Sequence, residues 1–279
     1  SRKAPREGEI MAIASREVVS VPPTIPIIGA IEKMTACGFR RLPVTDAGTR
    51  RLRGIVTAGD IIDMMGGGNK YNLVRKKHGG NLLAAINESV REIMTEQVVT
   101  LGKDARIADA ASLIVGKRIG GLPIVEGDEE VLVGIVTERD VMKVLSSEKS
   151  PALVEEVMSA SLKVTGPETP IGEATKDMIT HRFRRLPVVK DDVLYGIITA
   201  TDIMKYLGSG QVFQRMVTGN VAEVMGLPVR TLVSGTLHTI DPKKSANEAA
   251  REMLARNVGA LPVIEDARLV GLVTEFDLV

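Results

Sequence analysis

Four copies of one short signature run through this 279-residue sequence and constrain its fold more than any other feature. Each signature reads Gly-h-h-Thr-x-x-Asp, where h is an apolar residue, and each follows a Leu-Pro pair after a short, nearly constant interval. Four such pairs indicate an internal repeat in which every copy has the same structure. The signatures lie at 54–60, 134–140, 196–202 and 271–277, and the Leu-Pro pairs begin at Leu42, Leu122, Leu186 and Leu261.

Every copy predicts the same order of elements. A β-prone segment comes first, and an amphipathic helix follows, with apolar residues at intervals of three and four. The Leu-Pro pair opens a short strand, the Gly-h-h run forms a second strand, and Thr-x-x-Asp begins the last helix. The sequence therefore predicts an α+β fold with helices on one side of a small sheet. The predicted opening strands are Val18–Val21, Val98–Leu101, Leu162–Thr165 and Leu237–Ile240.

The copies are expected to pair, first with second and third with fourth. The most linker-like segment is Ser146–Pro151, near the middle of the chain, and we place the boundary between two modules there. The first module is predicted at 1–148, with copies at about 10–75 and 90–147, and the second at 151–279, with copies at about 152–208 and 221–279.

Two segments depart from the repeat. Gly66–Gly80 is glycine-rich but lacks the G-x-x-x-x-G-K-S/T pattern of a P-loop, so we interpret it as a flexible or partner-facing turn. The fourth signature ends at Asp277, two residues before the sequence stops, so its last helix is nearly absent. We expect from this that the end has been trimmed or that a further tail follows, and which of the two applies is left open.

Composition excludes several classes of function. The 36 basic and 35 acidic residues nearly balance, which argues against nucleic acid as a partner, and the absence of tryptophan leaves little for base stacking. No apolar run approaches the length of a membrane span, and no secretory signal is recognisable. The single cysteine, Cys37, excludes an internal disulfide and favours a cytoplasmic location. Its place late in an apolar helix predicts that it packs in the core.

The Thr-x-x-Asp motif has two interpretations. It is a capping box, in which threonine and an acid three residues later satisfy free backbone N–H groups at a helix start. Capping alone leaves unexplained why the acid is aspartate in all four copies. A short carboxylate held there can also accept both hydroxyls of a ribose, and the threonine and free amides suit a phosphate. The candidate ligands are Thr57, Asp60, Thr137, Asp140, Thr199, Asp202, Thr274 and Asp277.

Basic pairs precede the Leu-Pro pair in alternate copies. Arg40-Arg41 and Arg184-Arg185 occupy these positions in the first and third copies, whereas Gly120-Gly121 and Gly259-Ala260 occupy them in the second and fourth. Arginine binds phosphate in a bidentate manner. The alternation indicates that equivalent positions have different roles in the two members of each pair.

These motifs resemble the cystathionine-β-synthase (CBS) domain family, in which a Leu-Pro strand precedes Gly-h-x-Thr-x-x-Asp and domains pair as Bateman modules. The resemblance spans about Ile10 to Val279. Four copies with no attached catalytic domain are similar to the gamma subunit of AMP-activated protein kinase. They are more similar still to archaeal stand-alone four-CBS proteins, which share the segment Gly66–Leu73. The resemblance implies an α+β fold of four CBS domains, paired into two Bateman modules that form a flat disc.

The family resemblance also implies roles for individual residues. The signature aspartates would hold ribose hydroxyls, with the threonines beside them, and the arginine pairs would contact phosphates. A basic residue directly before the signature aspartate also reaches phosphate in the gamma subunit, and here Arg139 alone matches it. The gamma subunit lacks the aspartate in one repeat, whereas all four are present here. Four sites are therefore available, and we expect the two copies with arginine pairs to be well occupied.

The implied function is energy sensing: AMP, ADP or ATP binds in clefts between paired copies and regulates an unidentified protein partner. No nucleophile–base–acid arrangement and no metal-ligand spacing occurs in the sequence, so we expect neither catalysis nor a metal. An S-adenosylmethionine-binding regulator is one alternative, although it leaves the arginine pairs without a role. A scaffold or nucleic-acid-binding CBS protein is another. Whether two chains form a homodimer is left open.

Overall fold

The computed structural model describes residues 9–147, 150–233 and 237–279, and within them the four copies repeat one architecture. The strands are short, and most belong to two-stranded antiparallel hairpins. They are β1 (Arg41–Thr45), β2 (Leu52–Thr57), β3 (Leu101–Gly102), β4 (Gly121–Glu126), β5 (Val131–Thr137), β6 (Arg185–Lys190), β7 (Val193–Thr199), β8 (Ala260–Glu265) and β9 (Arg268–Thr274).

Helices precede and follow these hairpins in each copy. The α-helices are α1 (Ile10–Ile13), α2 (Ile27–Cys37), α3 (Ala58–Gly66), α4 (Leu82–Ala85), α5 (Ile107–Lys117), α6 (Glu138–Leu145), α7 (Val154–Val157), α8 (Ile171–His181), α9 (Ala200–Gly208), α10 (Gln211–Arg215), α11 (Ala222–Met225) and α12 (Ala246–Arg256). Shorter turns are 3₁₀ at Asn69–Tyr71, Val90–Glu92, Val229–Thr231 and Glu275–Leu278, and π-helical at Leu73–Lys77. No helix in the described ranges is both long and apolar enough to cross a bilayer.

The hairpins share one register. The leucine of each Leu-Pro pair is fully buried and lies opposite the residue before the signature threonine, as the pairs Leu42–Val56, Leu122–Val136, Leu186–Ile198 and Leu261–Val273 show. In the third copy the chain reverses through Asp191 and Asp192, both with positive φ, which suits the twist of a tight hairpin. The first two copies have longer hairpin loops. These loops account for the wider spacing, in those two copies, between the proline of the Leu-Pro pair and the glycine of the signature.

The predicted opening strands are much shorter than expected. In the second copy Leu101–Gly102 adds to the hairpin in parallel. In the other copies one bridge replaces the strand, at Val21–Val44, Thr165–Val188 and Ile240–Val263. A proline follows each of these bridges within two residues, and proline has no N–H to continue a ladder. The second copy has no such proline, and its strand extends further.

The first copy pairs with the second, and the third with the fourth, through backbone hydrogen bonds at the edges of their hairpins. Ile55 in the first copy exchanges two backbone hydrogen bonds, of 2.9 and 3.0 Å, with Thr95, near the start of the second copy. Ile135 of the second copy does the same with Ser15, near the start of the first. Leu272 and Ser159 repeat the exchange between the fourth and third copies. The predicted boundary between the modules partly lies outside the described residues, so it stays a prediction, as does the disc shape.

A layer of helices joins the first and third copies. Helices α2 and α3 pack against α8 and α9, and the apolar side chains of both copies form one continuous core. Gly208 at the end of α9 lets this helix pack closely against α2, because a Cβ atom there would collide with Thr35 of α2. The second and fourth copies instead have separate, smaller cores.

The expectation that Cys37 is buried was wrong, and so was the expectation of a flexible turn at Gly66–Gly80; whether that segment faces a partner stays a prediction. Cys37 is exposed, because it is the last residue of α2 and the chain turns away at Gly38, whose φ is +68°. The Gly66–Gly80 segment is not a loose turn. It folds into the 3₁₀ and π-helical turns after α3, and Leu73 and Val74 are buried.

Candidate functional site

Each signature begins its helix with a capping box, and both reciprocal hydrogen bonds are present in the first three copies. The threonine backbone N–H donates to the Oδ2 atom of the signature aspartate at 2.8 to 2.9 Å in all four copies. In the first three copies the threonine hydroxyl also accepts from the backbone N–H of that aspartate. Capping occupies one carboxylate oxygen, and since a carboxylate has two, Oδ1 can make another contact.

A cavity of about 620 Å³ lies where the four copies meet. This volume is typical of a site for a small organic ligand. The first and third copies contribute their arginine pairs and signature residues to it, and the second and fourth contribute small residues at the positions equivalent to those pairs. Among the lining residues are Arg40, Arg41, Thr57, Gly120, Gly121, Arg139, Arg184, Arg185, Thr199, Asp202, Gly259 and Ala260.

The small residues make room for the arginines. A Cβ atom on Gly259 would lie 2.8 Å from Arg40 Nη2 and 3.0 Å from Arg185 Nη2. On Gly120 it would lie 2.7 Å from Arg184 Nη1 and collide with Arg41. Each glycine is therefore flanked by one arginine from the first copy and one from the third. The alternation of Arg-Arg with small residues is the pattern that this packing requires.

Two buried glutamates complete the cluster, and the sequence analysis missed them. Glu138 and Glu275 have side chains only 2% exposed. The Oε1 atom of Glu138 accepts from Arg184 Nη1 at 2.6 Å and from Arg40 Nη1 at 3.4 Å. The Oε1 atom of Glu275 accepts from Arg139 Nη2 at 2.7 Å. Arg139 of the second copy therefore reaches into the fourth copy. Its predicted phosphate contact within the first pair of copies stays a prediction.

A sequence signal for these glutamates exists. Glu138 and Glu275 directly follow the signature threonine in the second and fourth copies, whereas Ala58 and Ala200 occupy that position in the first and third. The glutamates thus alternate in the same way as the arginine pairs, but in the opposite copies. When acidic residues alternate between copies in the opposite pattern to basic residues, the two sets are expected to form ion pairs in the folded protein.

Positive charge dominates the cluster. Among the described residues Arg40, Arg139 and Arg184 form ion pairs with the two glutamates, and Arg41 and Arg185 lie beside them, so guanidinium groups outnumber carboxylates. Burial lowers the pKa of Arg41 and of Arg185 to about 10, so both remain protonated near neutral pH. Burial also raises the pKa of Glu138, which Arg184 opposes, and its Oε2 atom is buried with no hydrogen-bond partner. Such a cluster favours an anion in the cavity.

The four signature aspartates are not equivalent. Asp202 lines the cavity, whereas Asp60, Asp140 and Asp277 do not. Burial raises the pKa of Asp60 and of Asp202. Lys70 is the chief opposing charge at Asp60, where its ammonium group contacts Oδ1. At Asp202 the hydrogen bonds from Thr199 oppose this rise in pKa most, followed by the charges of Lys205 and Arg185. The structure thus brings one of the predicted ribose ligands to the arginine cluster.

Aromatic side chains lie at the third-copy end of the cavity. Tyr195 and Phe183 line it and are 48% and 39% exposed. In the first copy the position of Tyr195 is taken by Arg53, which pairs with Asp46 at 2.7 Å on the surface. Exposed aromatic rings offer a flat apolar surface for a planar base. The third-copy end therefore combines a carboxylate, aromatic rings and arginines.

The comparison with protein families gives four matches. A model described as CBS domain matches residues 9–67, 90–147, 154–209 and 221–279. Each match contains one signature and its hairpin. Together the matches cover most of the chain.

Individual relatives match over almost the full length. MJ1225, an uncharacterized protein of Methanocaldococcus jannaschii, is 40% identical over 272 residues, which is 96% of this chain and 97% of that protein. Its crystal structure, described as that of a proposed archaeal homolog of g-AMPK, matches with a TM-score of 0.91 and covers 96% of this chain and 98% of that one. A 33.4 kDa protein of Thermofilum pendens, encoded in a ribosomal RNA operon, is 27% identical over 92% of this chain and 85% of its own length.

Proposed function

The chain belongs to the CBS-domain family, and from this premise we propose that it is a regulatory protein that binds adenine nucleotides. The nucleotides are AMP, ADP or ATP, and the cavity between the four copies is their site. The protein is not an enzyme in this proposal. It acts on a protein partner that the sequence does not identify.

One observation carries the proposal: both arginine pairs, Arg40-Arg41 and Arg184-Arg185, converge on a cavity that Asp202 also lines. Guanidinium groups are the side chains best suited to bind phosphate with two parallel hydrogen bonds. Arg185 is close enough to Asp202 to lower its pKa. A ligand with a diol at Asp202 and phosphates at Arg185 satisfies both groups at once.

The nucleoside end is assigned to the third copy. Oδ2 of Asp202 is held by the backbone N–H of Thr199 at 2.9 Å, which leaves Oδ1 to accept from the ribose hydroxyls. Tyr195 and Phe183 provide the surface for adenine. Thr57 and Asp60 form a second site in the first copy. Thr137, Asp140, Thr274 and Asp277 act in this proposal mainly as helix caps, since they lie off the cavity.

In this proposal the buried glutamates make the protein sensitive to the number of phosphates on the nucleotide. Arg40 lies between them, 3.4 Å from Glu138 and 3.8 Å from Glu275. A second or third phosphate competes with these carboxylates for the same guanidinium groups, whereas a single phosphate leaves more of the ion pairs intact. Because the ion pairs link different copies, ligands with different phosphate numbers favour different arrangements of the modules.

Thermal-shift measurements with AMP, ATP, S-adenosylmethionine and duplex DNA test the proposal, since a ligand that binds only the folded state raises the melting temperature. We expect AMP and ATP to raise it and DNA to leave it unchanged. A shift with S-adenosylmethionine but not with AMP or ATP would replace the proposal with the alternative regulator. Salt-dependent DNA binding without any nucleotide shift would indicate a nucleic-acid-binding protein instead.

A further inference from the structure

The glycine-rich segment after the first signature places a lysine on the first signature aspartate. Lys70 lies ten residues after Asp60, and its ammonium group forms an ion pair with Asp60 Oδ1. The pair is mostly shielded, with side-chain exposures of 26% for Lys70 and 12% for Asp60. The other carboxylate oxygen is held by the backbone N–H and the hydroxyl of Thr57 at 2.8 and 3.2 Å. Both oxygens of Asp60 therefore have partners within the protein.

Packing fixes the position of Lys70. Its backbone N–H donates to Asp63 Oδ1 at 2.9 Å. A Cβ atom on Gly68 would collide with the Asp63 carboxylate, and one on Gly67 would collide with Ile179 of helix α8. The two glycines thus let the segment pass between α3 and the third copy. Lys70 is held on Asp60 by this path rather than by a chance surface contact.

The third copy has no counterpart of this lysine. Ten residues after Asp202 the chain has Val212, which is 2% exposed and belongs to the core. Lys205, three residues after Asp202, and Arg185 act on Asp202 through their charges. Neither forms an ion pair with it among the described residues, and its carboxylate lines the cavity. The first and third copies therefore differ in whether Oδ1 of the signature aspartate, the oxygen proposed to accept from the ribose, already has a lysine partner.

We propose that Lys70 is a specificity-determining residue that ranks the two nucleotide sites by occupying the ribose-accepting oxygen of the first copy. This inference rests on the proposed function. A ribose hydroxyl that binds Asp60 must replace an ammonium group, and a bond between two charged groups is stronger than one from a neutral hydroxyl. Asp202 requires no such replacement. The third-copy site therefore fills first, and the first-copy site fills only at higher nucleotide concentration.

Calorimetric titration with AMP tests this ranking in an Asp202→Ala background, which removes the strong site and exposes the weak one. In that background we expect Lys70→Met to raise the affinity of the remaining site by about tenfold, equivalent to roughly 1.4 kcal/mol. Lys70→Gln should give the same increase and serves if the methionine variant unfolds. Lys70→Arg keeps the positive charge and should leave the site weak.

Lys76→Met is the matched control, because Lys76 belongs to the same segment and is exposed. It removes the same charge and should leave AMP affinity unchanged. A first-copy affinity that is unchanged or lowered in both Lys70→Met and Lys70→Gln would overturn the ranking. If the unmodified protein bound no AMP at all, the proposed function itself would fail, and this result is distinguishable from the first.

Discussion

The first and third copies carry the same signature and the same arginine pair, yet their aspartates have different surroundings. Asp202 lines a cavity with aromatic side chains and lies within the field of Arg185. Asp60 lies off that cavity and is paired with Lys70. The motif fixes the geometry of the helix cap in both copies, and the neighbouring segments decide whether the free oxygen is available. A repeated motif therefore does not imply repeated affinity.

The largest expected effect comes from removing the two arginines at Gly259. The double variant Arg40→Ala/Arg185→Ala should lower ATP affinity by at least about 100-fold, since each charge-assisted bond is worth about 1.5 to 3 kcal/mol. Adenosine has no phosphate, so its affinity should change little. Calorimetry with both ligands makes the test, with Arg53→Ala as the control for losing a surface arginine. Equal losses for ATP and adenosine would mean that the arginines have only a structural role.

The next largest effect is the difference in AMP affinity between variants of the two signature aspartates, Asp202 and Asp60. Asp202→Ala should weaken the tight AMP site by roughly 10- to 150-fold, as expected for a lost hydrogen bond to a charged group. Asp60→Ala should leave that site within about threefold of its original affinity, because Asp60 contacts Lys70 instead. Both substitutions remove the same capping acid, so a thermal melt of each corrects for the cost to the helix. A larger effect from Asp60 would reverse the assignment.

The aromatic surface predicts a smaller loss. Tyr195→Ala should weaken AMP by about fivefold, which corresponds to roughly 1 kcal/mol for an aromatic contact with adenine. Arg53→Ala changes the equivalent position of the first copy and should have no effect on the tight site. Fluorescence competition with a labelled nucleotide can resolve this difference. An unchanged affinity in Tyr195→Ala would place adenine elsewhere.

Gly259→Ala predicts the smallest effect. The new Cβ atom would meet the ends of two arginine side chains at 2.8 to 3.0 Å, and these flexible ends can shift without unfolding the protein. We expect ATP affinity to fall by about threefold, with little change in the melting temperature. Gly116→Ala adds the same methyl group where nothing lies within 4 Å, so ATP affinity should be unaffected. An identical ATP affinity in both variants would contradict the packing argument.

Much of this architecture is readable in the sequence. The repeat predicted four CBS domains with an α+β fold, and both are confirmed. The alternation of Arg-Arg with Gly-Gly predicted different roles within each pair, and the packing of guanidinium groups against Gly120 and Gly259 accounts for it. The capping interpretation also fits every copy. These features follow from local sequence and from comparison of one copy with another.

The remaining features depend on contacts between distant segments. The contact of Glu138 with Arg184 depends on the packing of helices α2 and α3 of the first copy against α8 and α9 of the third, far apart in sequence. The contact of Lys70 with Asp60 depends on a segment present in one copy alone, so no comparison between copies could predict it. Cys37 has an apolar helical context, but its exposure is decided by the point at which α2 ends.

A crystal structure of the chain with one equivalent of AMP tests the central claim most directly. We predict density for a single nucleotide with its ribose at Asp202 and its phosphate among the arginines that flank Gly259. Lys70 should still contact Asp60 in that structure. Ribose density at Asp60, with Asp202 unoccupied, would contradict the claim that the third copy has the stronger site.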